Sequence, residues 1–264
     1  MMPMPTRTGC VPMADYGGRL GVMQPYFFPY LAHFALLANV DHWVVFDVTQ
    51  YTPKTWMNRN RVLHPTQGWV YVTVPIQGSS QSKLIREVML HAPDVAVASI
   101  KGKLRHYSKR APHYEDVVRL VERAFSERTD DSLVALNVSC LRTISEYLRI
   151  NFEYSICSEM GLDFTHVEHP GQWALRVAQQ VGAREYVNPL SGAHLFRLEE
   201  FEDSGVRLGF VDMPDLSYDP KPYQFIPSLS VLDVLMWNHP GDVRRFIKEQ
   251  SSVVVAKDVR RAWR

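Results

Sequence analysis

The polar segment KTWMNRNR carries the side chains best suited to hold an anion. Arg59 and Arg61 present forked guanidinium donors that match a phosphate or a carboxylate. Lys54 adds a point charge beside Trp56, and Asn58 and Asn60 add neutral donors. The same pattern is expected at the start of a hairpin, where alternate residues face water. We favour anion binding, because a connecting loop does not need so many side chains with several donors.

Two further residues are candidates for proton transfer. Asp47 ends an apolar run, and a carboxylate at such a place can hold a ribose hydroxyl, a metal ion or a proton, or can simply cap a turn. His33 can act as an acid, a base or a phosphate ligand, although a lone histidine on a helix is often structural. The predicted catalytic residues are therefore His33, Asp47 and Lys54.

Other polar and aromatic residues at predicted strand ends and in later loops are expected to contact a substrate. With Trp56, Asn58, Arg59 and Arg61, the predicted substrate-binding residues are Gln24, Tyr26, Tyr30, Asn188, Ser191 and Tyr223. For the tyrosines the alternative is a packing role with the hydroxyl at the rim.

The elements that would position these groups begin with a strand–helix–strand pattern. Leu20–Met23 is a short apolar strand, Leu31–Val40 has the spacing of an apolar helix face, and Trp43–Phe46 is a continuous apolar run typical of a buried parallel strand. Pro25 and Pro29 stiffen the turn between the first strand and the helix.

A second such unit is predicted late in the chain. Glu185–Val187 and Val206–Val211 read as strands around a helix at Ala193–Asp203. Two βαβ units predict an α/β fold with a Rossmann-like parallel or mixed sheet, into which a helical region of about residues 93–149 is inserted. Ligands of such sheets bind beyond the carboxyl ends of the strands.

Shorter patterns fill in the remainder of the fold. Asn60–His64 and Trp69–Ile76 flank a four-residue turn that ends in glycine, which predicts a hairpin, and Leu84–Leu90 is expected to add a strand. Ser230 followed by Asp233 three residues later resembles a capping box.

Length, composition and charge limit the domain organisation and the classes of partner that we expect. It has 264 residues, of which 46% are hydrophobic and 22% charged, and its formal net charge is +1. We expect a flexible leader at residues 1–18, one α/β domain at 19–250 and a basic tail at 251–264. The near-zero charge argues against nucleic acid or membrane as partners, so any anion site must be local.

The three cysteines show neither CxxC spacing nor a zinc-type grouping, and they are expected to be reduced thiols. Cys157 with His166 or His169 is a possible nucleophile and base, but an inert buried thiol is the plainer interpretation. No run approaches the roughly 20 apolar residues of a membrane helix, and no signal-peptide core precedes the first strand. We predict a cytoplasmic protein without a cofactor or a metal site.

Several long motifs resemble the WbqC-like protein family. They are MQPYFFPYLAHFALL, WVVFDVTQY, KTWMNRNRV followed by WVYVTVPI, LNVSCLRTISEYLRI, GAREYVNP, GVRLGFVD and PYQFIPSLSVLDVL. Together they span residues 20–237. The chain departs from the family where Ala32-His33 replaces a usual Gly-Tyr and where Asp47-Val48 replaces paired aspartates.

The resemblance implies a bacterial enzyme of polysaccharide or natural-product biosynthesis. The implied activity is acyl or aminoacyl transfer, with a carrier-protein thioester as one donor, onto an amine or hydroxyl of a small molecule or sugar. Expected partners are that small-molecule substrate and an acyl carrier protein. The alternatives are a nucleotidyltransferase-like enzyme, for which only Leu31-Ala32-His33 echoes part of the motif, and a non-catalytic module that binds a ligand or carrier protein.

Overall fold

The computed structural model of the chain describes residues 16–78 and 82–262, and it contains two sheets. The strands are β1 (Arg19–Met23), β2 (His42–Val45), β3 (Arg59–His64), β4 (Gly68–Thr73), β5 (Tyr154–Ile156), β6 (Glu185–Pro189), β7 (Arg207–Asp212) and β8 (Ser252–Val255). Six of them form the main sheet in the order β5-β2-β1-β6-β7-β8, which is parallel except for β8. Strands β3 and β4 form a separate antiparallel hairpin.

Both predicted βαβ units are present, and the Rossmann-like α/β class is confirmed. Helix α1 (Leu31–Ala38) connects the parallel strands β1 and β2. The 3-10 turn Leu190–Leu195 and helix α6 (Leu198–Ser204) connect β6 to β7, where one longer helix was expected.

Helices cover both faces of the main sheet, as alternation along its strands requires. The other helices are α2 (Pro93–Leu104), α3 (Tyr114–Ser126), α4 (Leu133–Leu148), α5 (Pro170–Gln180), α7 (Val231–Trp237), α8 (Pro240–Gln250) and α9 (Ala256–Ala262). On β2, Trp43 and Val45 pack into a large core with α1–α4, α7, α8 and the hairpin. Val44 points into a second core with α5, α6 and α9.

The helical region predicted at about 93–149 corresponds to α2, α3 and α4, with a 3-10 turn at Arg105–Lys109. Helix α4 begins at a side-chain cap, because the Ser132 hydroxyl accepts a hydrogen bond from the Ala135 amide at 3.0 Å. It ends at Arg149, which has a left-handed backbone with φ of 53°.

Two segments differ from the sequence expectation. The predicted strand at Leu84–Leu90 is instead a 3-10 turn, Ile85–Glu87, because the Glu87 carboxylate accepts from the Leu84 amide at 2.9 Å and closes the turn. Ser252–Val255 lies in the segment expected to be a basic tail, and this apolar run forms a strand that pairs with β7. Residues 1–15 of the predicted leader lie outside the described residues.

The turn after β1 is held by side chains from three distant segments. The Asn60 amide donates to the Phe28 carbonyl oxygen at 2.9 Å, the Ser230 hydroxyl donates to the same oxygen at 2.7 Å, and the Asn137 amide donates to the Pro25 carbonyl oxygen at 2.9 Å. Buried carbonyl groups need such partners. These bonds bring β3, α4 and α7 together at the carboxyl end of β1.

Candidate functional site

The hairpin carries a surface on which two guanidinium groups lie against aromatic rings. The Arg59 Cζ atom is 3.9 Å from the ring centroid of Tyr71, and the Arg61 Cζ atom is 5.4 Å from the rings of both Trp56 and Trp69. The two tryptophans are 36% and 37% exposed. We call these five residues the arginine–aromatic face, and cation–π contacts of this kind hold the guanidinium groups in place.

Neither arginine is neutralised by a carboxylate within the described part of the chain. Arg61 Nη2 donates to the Ser228 carbonyl oxygen at 3.2 Å. The buried Nε atom of Arg61 has no hydrogen-bond partner among the described residues. Two unpaired, fixed cations with donors to spare can bind a phosphate or a carboxylate.

Of the other polar residues in the predicted anion segment, one is exposed, and Asn58 and Asn60 are structural, the latter through its bond to the Phe28 carbonyl oxygen. Lys54 is exposed, on a backbone with φ of 60°. Asn58 is buried, and its amide donates to the Val74 carbonyl oxygen at 3.1 Å, which ties the base of the hairpin together.

The predicted binding residues that follow β1 have three different environments. Gln24 donates to the Thr49 hydroxyl at 3.3 Å and so joins the segments after β1 and β2. The Tyr26 ring packs on His33 with centroids 5.5 Å apart, and burial raises the pKa of the Tyr26 phenol. Tyr30 lines a pocket described below.

His33 lies inside the large core, with no exposed surface. Its ring packs against Tyr26 and Trp43, and neither ring nitrogen has a hydrogen-bond partner among the described residues. Burial lowers the pKa of His33 to about 3. The imidazole is therefore neutral at pH 7, and it can exchange a proton with a substrate only if the core opens.

Asp47 is also buried, and it is engaged by a neighbouring turn. Its two carboxylate oxygens accept from the Ser158 amide at 2.9 Å and from the Ser158 hydroxyl at 2.6 Å. These contacts fit the turn-capping alternative. Burial, with a smaller contribution from the Asp47 charge, raises the pKa of the Cys157 thiol to about 12, as expected of an inert thiol.

The last three predicted binding residues lie in other parts of the fold. Asn188 is buried at the end of β6, where it accepts from the Tyr186 hydroxyl at 2.8 Å. Ser191 is exposed on the turn after β6. The Tyr223 ring packs against His106 and Trp237 rather than against the arginine–aromatic face.

Asp233 on α7, which the sequence predicts only as part of a capping box, is a buried carboxylate. It accepts hydrogen bonds from the hydroxyls of Tyr107 and Tyr218 and from the Leu63 amide at 3.3 Å. Burial raises its pKa, and these hydrogen bonds oppose the rise. Ser230 caps α7 as predicted, with its hydroxyl 3.2 Å from the Leu232 amide, but Asp233 points to the tyrosines instead of completing a capping box.

A pocket of about 460 Å³, part of it open to solvent, lies between the start of α1 and the loop after β7. Its wall consists of Tyr30, Leu31, Ala32, Met213, Asp215, Leu216, Tyr218, Phe225, Ile226, Ser228, Leu229 and Val234. Because the Ser228 carbonyl accepts from Arg61, the pocket adjoins the arginine–aromatic face. The pocket and the arginine–aromatic face both follow the carboxyl ends of strands of the main sheet, which is where α/β folds bind ligands.

No group of His, Cys, Asp and Glu in residues 16–78 and 82–262 is arranged to hold a metal ion. His169, a possible base for Cys157 from the sequence, instead contacts an acidic residue, since its Nε2 lies 2.9 Å from the Glu200 carboxylate. Within the same residues, none of the helices has the length and apolar character needed to cross a membrane.

The sequence patterns miss Trp69, Tyr71, Tyr218 and Ser228 as site residues. The hairpin register places Arg61 opposite Tyr71, so alternation along the predicted hairpin was a usable signal for the two aromatic residues. Ser228 and Tyr218 lie in an irregular loop, and no local periodicity marks them.

Comparison with known proteins identifies the family. The sequence profile of the WbqC-like protein family matches residues 24–245. The chain is also 27% identical over 219 residues to the uncharacterized protein Rv1507c of Mycobacterium tuberculosis, covering 82% of this chain and 92% of that one. No solved structure matches significantly. The matched residues include the turn after β1, the hairpin and α7. The chain therefore belongs to the WbqC-like protein family.

Proposed function

We propose that this protein is a biosynthetic group-transfer enzyme that moves an acyl or aminoacyl group from a carrier-protein thioester to an amine or hydroxyl of a small molecule or sugar. The observation that carries the proposal is the pair of unneutralised guanidinium groups of Arg59 and Arg61 beside the pocket. In this role they hold the phosphate of the donor's phosphopantetheine arm.

The chemistry of such a donor suits the arginine–aromatic face. A phosphopantetheine arm has one anionic phosphodiester and a long, partly apolar chain that ends in the thioester. A guanidinium group can bind the phosphate through two donors, and the exposed rings of Trp56 and Trp69 offer apolar surface to the chain. The face also adjoins the pocket, so the arm can direct its thioester towards a second substrate.

In the proposed transfer, one bond forms, one bond breaks and one proton moves. The acceptor nitrogen or oxygen forms a bond to the thioester carbonyl carbon, and the carbon–sulfur bond breaks with its electron pair on sulfur. The proton of the acceptor ends on the released thiolate. Holding both substrates in one orientation supplies much of the rate advantage of such a reaction.

The roles of the predicted catalytic residues remain part of this proposal. Lys54 is exposed near the face and can approach a bound anion. His33 and Asp47 are buried, and in this proposal they support the turns after β1 and β5 that they contact.

The burial of His33 and Asp47 favours a second candidate, a non-catalytic module that binds a carrier protein through the same face. Such a module requires the two arginines but no general base. A nucleotidyltransferase-like activity has no comparable support in the geometry, and it would require nucleotide binding with release of pyrophosphate.

Transfer can be tested by mass spectrometry of intact carrier proteins. Carrier proteins loaded with a panel of acyl and aminoacyl groups are incubated with this protein and a panel of amines and alcohols. The enzyme proposal predicts loss of the acyl group from the carrier only when both protein and acceptor are present. Arg61→Ala should abolish this loss, while Arg244→Ala, an exposed arginine on α8, should not. Carrier binding without acyl loss for any pair would support the non-catalytic module.

A further inference from the structure

The pocket between α1 and the loop after β7 has a wall with an unusual balance of hydrogen-bonding groups. Tyr218 has a single hydroxyl hydrogen, and it donates this hydrogen to Asp233 behind the wall. Any hydrogen bond between the Tyr218 oxygen and a ligand in the pocket is therefore one that the oxygen accepts. The carbonyl of Ser228, on the same wall, is also an acceptor, although Arg61 already uses one of its lone pairs.

Charge on the wall has one sign. Asp215 is the single charged residue that lines the pocket, and within the described residues it forms no ion pair. Asp233 adds a second carboxylate directly behind Tyr218. Lysine and arginine are missing from the described lining. The lining thus offers a counter-charge to a cation, while the Arg61 guanidinium lies outside the lining, against the Ser228 carbonyl.

Three of the twelve residues of the wall are aromatic, and most of the others are aliphatic. Tyr30, Tyr218 and Phe225 all line the pocket, and the rings of Tyr218 and Phe225 pack edge to face with centroids 5.0 Å apart. Aromatic faces attract ammonium groups. Acceptor oxygens, a free carboxylate and aromatic faces are together the complement of a protonated amine.

We propose that this pocket binds the amino group of a small aliphatic amine, with Asp215 as its counter-charge and the Tyr218 oxygen as its hydrogen-bond acceptor. The inference deepens the proposed function, on which it rests, by naming an amine rather than an alcohol as the acceptor. It also explains the arrangement of the site, because a cationic acceptor in the pocket lies next to an anionic donor at Arg61.

The binding of the amine can be measured without any transfer reaction. Cyclohexylamine, which is protonated at pH 7 as a lysine amine is, is compared with the neutral cyclohexanol by ligand-observed NMR and calorimetry. We expect cyclohexylamine to bind at least about 3-fold more tightly than cyclohexanol, because the amine alone can form an ion pair with Asp215.

Three variants locate the binding. Asp215→Asn removes the counter-charge and should reduce cyclohexylamine affinity by about 3-fold or more while leaving cyclohexanol unchanged. Tyr218→Phe removes the acceptor oxygen and keeps the ring, so it should weaken cyclohexylamine more than cyclohexanol, because hydrogen bonds from charged donors are stronger than those from neutral hydroxyls. The control is Asp203→Asn on α6, which removes the same charge from an exposed position outside the pocket and should change neither affinity.

Equal binding of the amine and the alcohol, or an amine affinity that Asp215→Asn leaves unchanged, would overturn the inference. These outcomes are separate from those of the transfer assay. Selective amine binding without any transfer leaves the pocket assignment standing and removes the enzyme proposal. Transfer to amines that cyclohexylamine does not inhibit leaves the enzyme proposal standing and removes the pocket assignment.

Discussion

The side-chain amide of Asn60 donates a hydrogen bond to the carbonyl oxygen of Phe28 at 2.9 Å. This bond joins the first turn of the parallel sheet to the hairpin that carries Arg59 and Arg61. Phe28 has φ of 38°, a conformation that side-chain-bearing residues seldom adopt and that needs support from its surroundings. The Ser230 hydroxyl adds a second donor to the same oxygen.

Asn60→Ala should therefore destabilise the fold. It leaves the buried carbonyl oxygen of Phe27 without the Asn60 donor and removes one of the two side-chain donors to Phe28. We expect a loss of about 1–3 kcal/mol in the free energy of unfolding, measured by urea denaturation. Asn151→Ala, at an exposed position, is the control and should change stability little. A stability of Asn60→Ala equal to that of the control would contradict the supporting role.

The buried His33 makes stability depend on pH. Its pKa is about 3 in the folded protein and 6.5 for an ordinary histidine, so between these values the unfolded state binds the extra proton. Between pH 6.5 and about 3, the contribution of His33 to the free energy of unfolding therefore falls as the pH falls. The decrease is at most about 1.4 kcal/mol per pH unit. Urea denaturation at pH 5, 6 and 7 measures it.

His33→Phe is the matched variant, because it keeps an aromatic ring between Tyr26 and Trp43 but has no titrating nitrogen. The stability difference between wild type and His33→Phe should shift towards the variant as the pH falls from 7 to 5. Parallel pH profiles would show that His33 titrates normally and is therefore reachable by protons in the folded protein.

Asp47 and Ser158 should behave as an energetic unit. If Asp47 caps the turn at Cys157–Glu159, Asp47→Asn and Ser158→Ala remove the same contact, and their effects on the free energy of unfolding should not add. We expect a coupling of about 0.5–3 kcal/mol in a double-mutant cycle. Additive effects on stability would favour a functional carboxylate over a structural one.

Much of the sheet could be predicted, because apolar runs such as Trp43–Phe46 and the strand–helix–strand order are local properties of the sequence. The strand Ser252–Val255 was missed because the basic residues that follow it dominate the composition of the segment. The sequence predicts a strand where the turn at Ile85–Glu87 lies, because closure of this turn depends on the Glu87 side chain and not on periodicity.

The site was predicted less completely, for a physical reason. Arg59 and Arg61 carry their chemistry in their residue type, so the sequence alone could propose them. The burial of His33 and Asp47 follows from tertiary packing, which residue type does not reveal. The contact between Tyr218 and Asp233 likewise depends on an irregular loop that folds back onto α7.

Calorimetry with phosphopantetheine and pantetheine, which differ by the phosphate alone, tests the arginine–aromatic face most directly. Wild-type protein should bind phosphopantetheine at least about 10-fold more tightly than pantetheine, since charge-assisted hydrogen bonds contribute about 1.5–3 kcal/mol. Arg61→Ala should abolish that preference, and Arg244→Ala should keep it. Equal affinity of wild-type protein for the two compounds would contradict the claim that Arg59 and Arg61 hold the phosphate of the donor.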